Sequence, residues 1–164
     1  MLNKNWSSLN DEHKTGGLKR GFFGEYFAEM QFMIHGFEVY KTVVDDRGID
    51  FIIRKPQRPF LEIQVKSVTG NTNIKINRDK FDIKNKHLYL LAIKWVDGKE
   101  PEMYIIPSER WGKHDNIFYD SELINKKTGK PHKEPQYGLF LSDKNCESLL
   151  QYQFGKYIEE IKRI

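Results

Sequence analysis

The chain has 164 residues, 38% of them hydrophobic and 13% aromatic, which supports one domain with a real core and excludes a disordered or fibrous chain. Its 27 lysines and arginines against 23 acids give a formal charge of +4, a mild excess that suits a phosphate-bearing partner without requiring one. The single cysteine, Cys146, excludes an internal disulfide and a cysteine-cluster zinc site, and fits a reducing compartment.

Residues 1–15 are polar and read as a flexible N-terminal segment anchored only by Trp6. The opening MLNKNWSSLNDEHK has no apolar core of signal-peptide length, and the longest apolar stretch, HLYLLAIKWV, is too short to span a bilayer. A soluble, cytoplasmic protein is expected. Residues 16–164 read as a single domain, with a core over 16–107 and a C-terminal extension over 108–164.

From Gly16 to Ile34 the apolar residues recur at helical spacing. Phe23, Phe27, Met30 and Ile34 form one stripe and Phe22, Tyr26 and Met33 its neighbour, so these stripes are expected to lie against a sheet. Gly36 is a suitable stop. Three strand-like runs follow, 37–44, 48–55 and 59–67, joined by DDRG and PQRP, and are expected to pair as antiparallel neighbours. GNTN (70–73) reads as a loop and INRDKFDIKN (76–85) as weakly helical, before strands at 87–96 and 102–108. Residues 109–141 show no clear periodicity and include the basic loop INKKTGKPHK (124–133). A last helix is expected from Ser142, as its cap, through LLQYQFGKYIEEIKRI.

Polar residues in awkward places suggest chemistry. Asp50 sits among Ile49, Phe51, Ile52 and Ile53, where a lone carboxylate is costly to desolvate unless it is paired or binds a metal. In FLEIQVKS (60–67), Leu61, Ile63 and Val65 share one strand face and Glu62, Gln64 and Lys66 the other. A hairpin of 48–55 with 59–67 brings Asp50 beside Gln64 and Lys66. A carboxylate and an amide oxygen on adjacent strands can hold Mg²⁺, and a nearby lysine can orient a water or counter phosphate charge. Glu25 shares a helical stripe with Ala28 and Phe32 and is placed to join them, with Glu29 as its rival. Asp50 could instead pair with Arg47 or Arg54, and Glu62, Gln64 and Lys66 could form a solvated strand face. Asp45 and Asp46 read as solvated turn residues; the five histidines show no ligand spacing, and Lys75, Arg78, Lys80, Lys84 and Lys86 could follow a phosphate backbone.

This ordered set resembles the PD-(D/E)XK nuclease superfamily, which places an acid on a first helix, an aspartate on a second strand and (E/Q)-x-K on a third. The matching positions are Glu25 in GFFGEYFAE, Asp50 in DDRGIDF, and Gln64 with Lys66 in QVKS. The chain is also similar to archaeal Holliday-junction resolvases and methyl-directed restriction nucleases of that superfamily, over residues 16 to about 96. The resemblance implies an α/β fold of restriction-endonuclease-like architecture: an α-β-β-β-α-β core whose mixed central sheet is flanked by helices. It also implies Mg²⁺- or Mn²⁺-dependent endonucleolytic hydrolysis of DNA, duplex or branched, with RNA left open. Asp50, Gln64 and the Val65 carbonyl would hold the metal, Glu25 would assist it, and Lys66 would position the attacking hydroxide. Gln64 stands where the family usually has a second acid, so weak Mg²⁺ binding and a preference for Mn²⁺ are expected. A homodimer is plausible because cutting both strands needs two sites. A nuclease-fold binding module without turnover, or an interaction subunit of a defence or repair system, stays open.

Overall fold

A computed structural model describes residues 5–10, 16–41, 43, 47–120 and 134–164. Asp45, Asp46, His13, His132 and the basic stretch 124–133 lie outside the described residues.

The chain opens with a short 3-10 turn, Trp6–Asn10, whose Trp6 indole donates to the Lys99 carbonyl at 2.9 Å and packs on Trp95. Helix α1 (Gly16–Ile34) follows and ends at Gly36, whose φ of +77° suits a residue without a Cβ. Strands β1 (Glu38–Lys41), β2 (Phe51–Arg54), β3 (Leu61–Thr69), β5 (Leu88–Trp95) and β6 (Glu102–Pro107) build the main sheet, in the order β1-β2-β3-β5-β6. Only β3 and β5 run parallel; the other neighbours are antiparallel, as the short connectors DDRG and PQRP allow. Strands β4 (Thr72–Asn77), β7 (Phe118–Asp120) and β8 (Gln136–Leu141) form a second, antiparallel sheet ordered β4-β8-β7. Helices α2 (Cys146–Leu149) and α3 (Phe154–Ile161) end the chain.

Two cores lie on opposite faces of the main sheet. One unites Ala28 and Phe32 of α1 and Ile158 and Ile161 of α3 with Phe51, Ile53, Ile63, Val65 and Leu91. The other sets Leu88, Leu90 and Ala92 against Ile74, Ile76, Leu139 and Leu141 of the small sheet. Strand β5 is thus covered on both sides, which explains its unbroken apolar run. Its one charge, Lys94, is buried and paired with Asp143 at 2.7 Å and Glu102 at 3.5 Å. No helix among the described residues is long and apolar enough to cross a membrane.

The fold class expected from the sequence is the one observed, with three corrections of detail. The stripes assigned to the sheet-facing side of α1 point the other way. Gly24, Ala28 and Phe32 face the sheet, while Phe22, Tyr26, Met30, Met33 and Ile34 are exposed. The small residues set the approach: a Cβ on Gly24 would lie 2.8 Å from Ser67 Oγ and 3.0 Å from Ser67 Cβ, so only this face can come so close to β3. Residues 72–77, read as loop and weak helix, are strand β4, since Ile74 and Ile76 alternate into the second core; a one-turn 3-10 helix, Arg78–Lys80, completes the crossover. The C-terminal helix is interrupted because Gln153 is extended (φ −56°, ψ 128°) and bridges to Tyr104.

Candidate active site

The β2–β3 ladder pairs Ile53 with Leu61, Ile52 with Glu62 and Phe51 with Ile63. Asp50 stands one residue beyond its end. Its N–H donates to the Ile63 carbonyl at 3.0 Å, and its Oδ2 accepts from the Val65 N–H at 2.5 Å. A carboxylate held by a charge-assisted bond to the backbone between Gln64 and Lys66 has a fixed position. Arg54 is engaged elsewhere, donating from Nε to Glu38 at 2.9 Å.

The polar row of β3 is not a solvated face. Glu62, Gln64 and Lys66 sit on the side of β3 that carries Leu88, Leu90 and Ala92 on the next strand, and Gln64 is only 4% exposed. Glu62 Oε2 accepts from Asn85 Nδ2 at 2.7 Å, which ties it to the crossover. Gln64 packs against Gly48, where a Cβ would come within 2.7 Å of its amide nitrogen and 3.1 Å of the Lys80 carbonyl. Gly48 also has φ +75°, so both the space and the backbone demand glycine. The Gln64 carbonyl oxygen Oε1 is buried and has no hydrogen-bond partner in the protein.

Helix α1 brings Glu25 to the same place. Burial pushes its carboxyl above the usual glutamate range, the Asp50 carboxylate adds to that push, and Lys66 and Lys41 oppose it. Glu25, Asp50 and Lys66 therefore act on one another across the gap between helix and sheet. The rival acid, Glu29, is buried and paired with Lys41 at 3.1 Å. Of the sequence candidates, Glu25, Asp50, Gln64, Val65 and Lys66 occupy one neighbourhood, while Glu29 and Glu62 are turned to pairings of their own. Of the other histidines, His35 Nδ1 lies 2.8 Å from the Gln31 carbonyl, and His87 and His114 are exposed.

Two supporting groups were missed. Arg20 Nε donates to the Ser67 carbonyl at 3.1 Å and Ser67 Oγ donates to the Arg20 carbonyl at 3.0 Å, a reciprocal clasp of helix to strand. Gly48 fits the Gln64 amide against Lys80. The signals were present in the sequence: Arg20 lies four residues before Gly24, and Gly48 lies two before Asp50.

The fold implies a divalent cation, and the donor set fits one. Among the described residues no three His, Cys, Asp or Glu side chains converge as a metal site, so acids alone do not make it. The orphan Gln64 oxygen supplies the missing ligand. A buried acceptor without a partner costs about 1–3 kcal/mol, and an amide oxygen beside a carboxylate is hard-cation chemistry.

No known protein-family profile matches the sequence, and no curated protein matches it. Among solved structures, a bacterial homing endonuclease, I-Ssp6803I, matches with TM-score 0.52 and 18% identity, over 88% of this chain and 91% of that one. Hjc, a Holliday junction resolvase from Archaeoglobus fulgidus, matches with TM-score 0.45 and 10% identity, over 73% of this chain and 83% of its own. At such identities the likeness is one of architecture: the chain has the restriction-endonuclease-like nuclease fold.

Proposed function

We propose that the protein is a Mg²⁺- or Mn²⁺-dependent DNA endonuclease. The observation that carries this reading is the buried, unpartnered Gln64 oxygen on the strand that bonds Asp50, with Lys66 two residues on. The fold and the homing endonuclease with which it is shared support the same reading. Asp50, Gln64 and the Val65 carbonyl would hold the cation, with Glu25 completing the set. When bound, that cation supplies Lewis-acid stabilisation of charge on the phosphoryl group.

The residues do the rest. The Val65 N–H fixes Asp50, so its carboxylate needs no reorganisation as substrate arrives. The Lys66 ammonium orients the attacking water and counters phosphate charge. Glu25, whose proton affinity is raised, is suited to take a proton from that water at its carboxylate. Water oxygen adds to phosphorus, one P–O ester bond breaks, and the leaving oxygen is protonated.

Supercoiled and branched DNA incubated with Mg²⁺ or Mn²⁺ tests this. Wild type should cleave, with stronger activity in Mn²⁺, and Asp50→Asn and Lys66→Ala should each lose at least about 100-fold. Cleavage unchanged in both variants would sink the proposal and indicate a contaminant. Gln64, an amide where an acid is usual, favours a second reading, a nuclease fold that binds DNA without cutting. Retention of DNA with no cleavage under either metal selects it.

A further inference from the structure

The outward face of α1 is apolar along its whole length. Leu18, Phe22, Tyr26, Met30, Met33 and Ile34 are each more than half exposed, while the helix already buries its opposite side on the sheet. A helix apolar all round is one that protein surrounds on every side, and an exposed patch of this kind marks an interface.

We propose that α1 is a homodimer interface, in which two copies of this chain pack antiparallel through this ridge. Positions 18, 22, 26, 30 and 34 fall on one i±4 row and are symmetric about 26. A two-fold axis beside Tyr26 sets Leu18 against Ile34, Phe22 against Met30 and Tyr26 against its own copy. Every level is apolar on apolar, which is what an isologous contact requires. Rows of this spacing interdigitate in the commonest class of helix packing. A different protein as partner gives no reason for the symmetry.

Charge and area agree. Lys41, at the border of the ridge, is neutralised within the chain by Glu29 at 3.1 Å and lies 4.1 Å over the Tyr26 ring, so it does not repel its own copy. Side chains of this size expose roughly 600–800 Å² together, close to what each partner buries in a standard interface. The inference rests on the placement of α1 and not on catalysis, and its test uses neither DNA nor metal.

Light scattering coupled to size exclusion should give wild type twice the monomer mass at micromolar concentration. Phe22→Glu and Met30→Glu, both at exposed positions, should give the monomer mass with an unchanged far-ultraviolet circular dichroism spectrum. Single cysteines in a Cys146→Ser background then read the register. Tyr26→Cys should link to its own copy under mild oxidation, Leu18→Cys should not, and Leu18→Cys mixed with Ile34→Cys should form the mixed disulfide. A monomeric wild type overturns the proposal, whether another part of the chain or a different protein covers the ridge. So does a dimer that survives Phe22→Glu, or self-linking at position 18 in preference to 26. Should the glutamate variants fail to fold, the cysteine pattern decides alone.

Discussion

Strand β3 and helix α1 lie on either side of the candidate site and invert the usual polarity in opposite directions. On β3, Gln64 is turned inward with its carbonyl oxygen unpartnered. On α1, Phe22, Tyr26 and Met30 are turned into water while Gly24 and Ala28 take the place against the sheet. Burying an unsatisfied amide costs about 1–3 kcal/mol, and each large apolar side chain left exposed forgoes about 1.5–3 kcal/mol. A chain shaped by folding alone would exchange the two sets. The inversion is therefore informative at both places, and each anomaly specifies what would relieve it: a hard cation for the amide oxygen, an apolar surface for the helix.

The largest expected effect comes from normalising the polar side. Gln64→Met keeps length and flexibility but removes the orphan oxygen. Metal-free thermal stability should rise by about 2–4 °C, as loss of about 1 kcal/mol of unmet hydrogen bonding predicts for a chain of this size. The same variant should lose at least about 100-fold in cleavage and the rise in Tm that Mn²⁺ gives wild type, a mass-action effect of about 2.7 kcal/mol at 100-fold over Kd. Gln64→Glu should do the reverse: tighter Mg²⁺ binding and a less stable metal-free protein, because a third acid joins Asp50 and Glu25. A Gln64→Met protein that still gains Tm from Mn²⁺ would break the contrast, since the orphan oxygen would then have no ligand role.

Much of this arrangement was legible in the sequence. The run LYLLAIKW announces a strand covered on both faces, and the short PQRP connector fixes β2 beside β3, which puts Asp50 near Gln64 before any coordinates are known. The opacity of the rest has physical causes. Periodicity shows that α1 has apolar residues all round but not which side docks, and the answer lies in the small Gly24 and Ala28, which carry little hydrophobic signal. In β4 the alternating Ile74 and Ile76 are outvoted by Asn73, Lys75 and Asn77, and its partner β8 begins more than fifty residues later. Lys94 looks misplaced within β5 until Asp143, 49 residues on, supplies its counter-charge. Pairing over such distances leaves no local trace.

The next effect tests why α1 faces as it does. If the Gly24–Ser67 approach sets the helix orientation, Gly24→Ala should destabilise the fold by about 1–3 kcal/mol through overpacking, although alanine is the better helix former. In a double-mutant cycle with Ser67→Gly, which removes both crowding atoms, the two losses should fall short of additive by about 0.5–3 kcal/mol. Urea denaturation measures both. Additive losses would mean that the contact does not hold the helix in place.

The smallest effect sharpens the polar side through pH. The Glu25 carboxyl is raised by burial and then by Asp50, so the folded protein prefers it protonated. Its stabilising contribution is fully present below the ordinary glutamate range and is lost as pH rises through the folded value, leaving the ionised side chain a net cost at neutral pH. Glu25→Gln, which keeps shape and removes charge, should therefore raise Tm at about pH 7.5 by about 1–2 °C, solvent screening at a half-buried position keeping the gain small. The gain should vanish below about pH 4, where the wild-type side chain is already neutral. Asp50→Asn removes one source of the shift, so in that background the gain at neutral pH should shrink. Added Mn²⁺ should shrink it too, by stabilising the wild-type carboxylate. A gain independent of pH would separate Glu25 from Asp50 and leave the polar face of β3 without its partner on the helix.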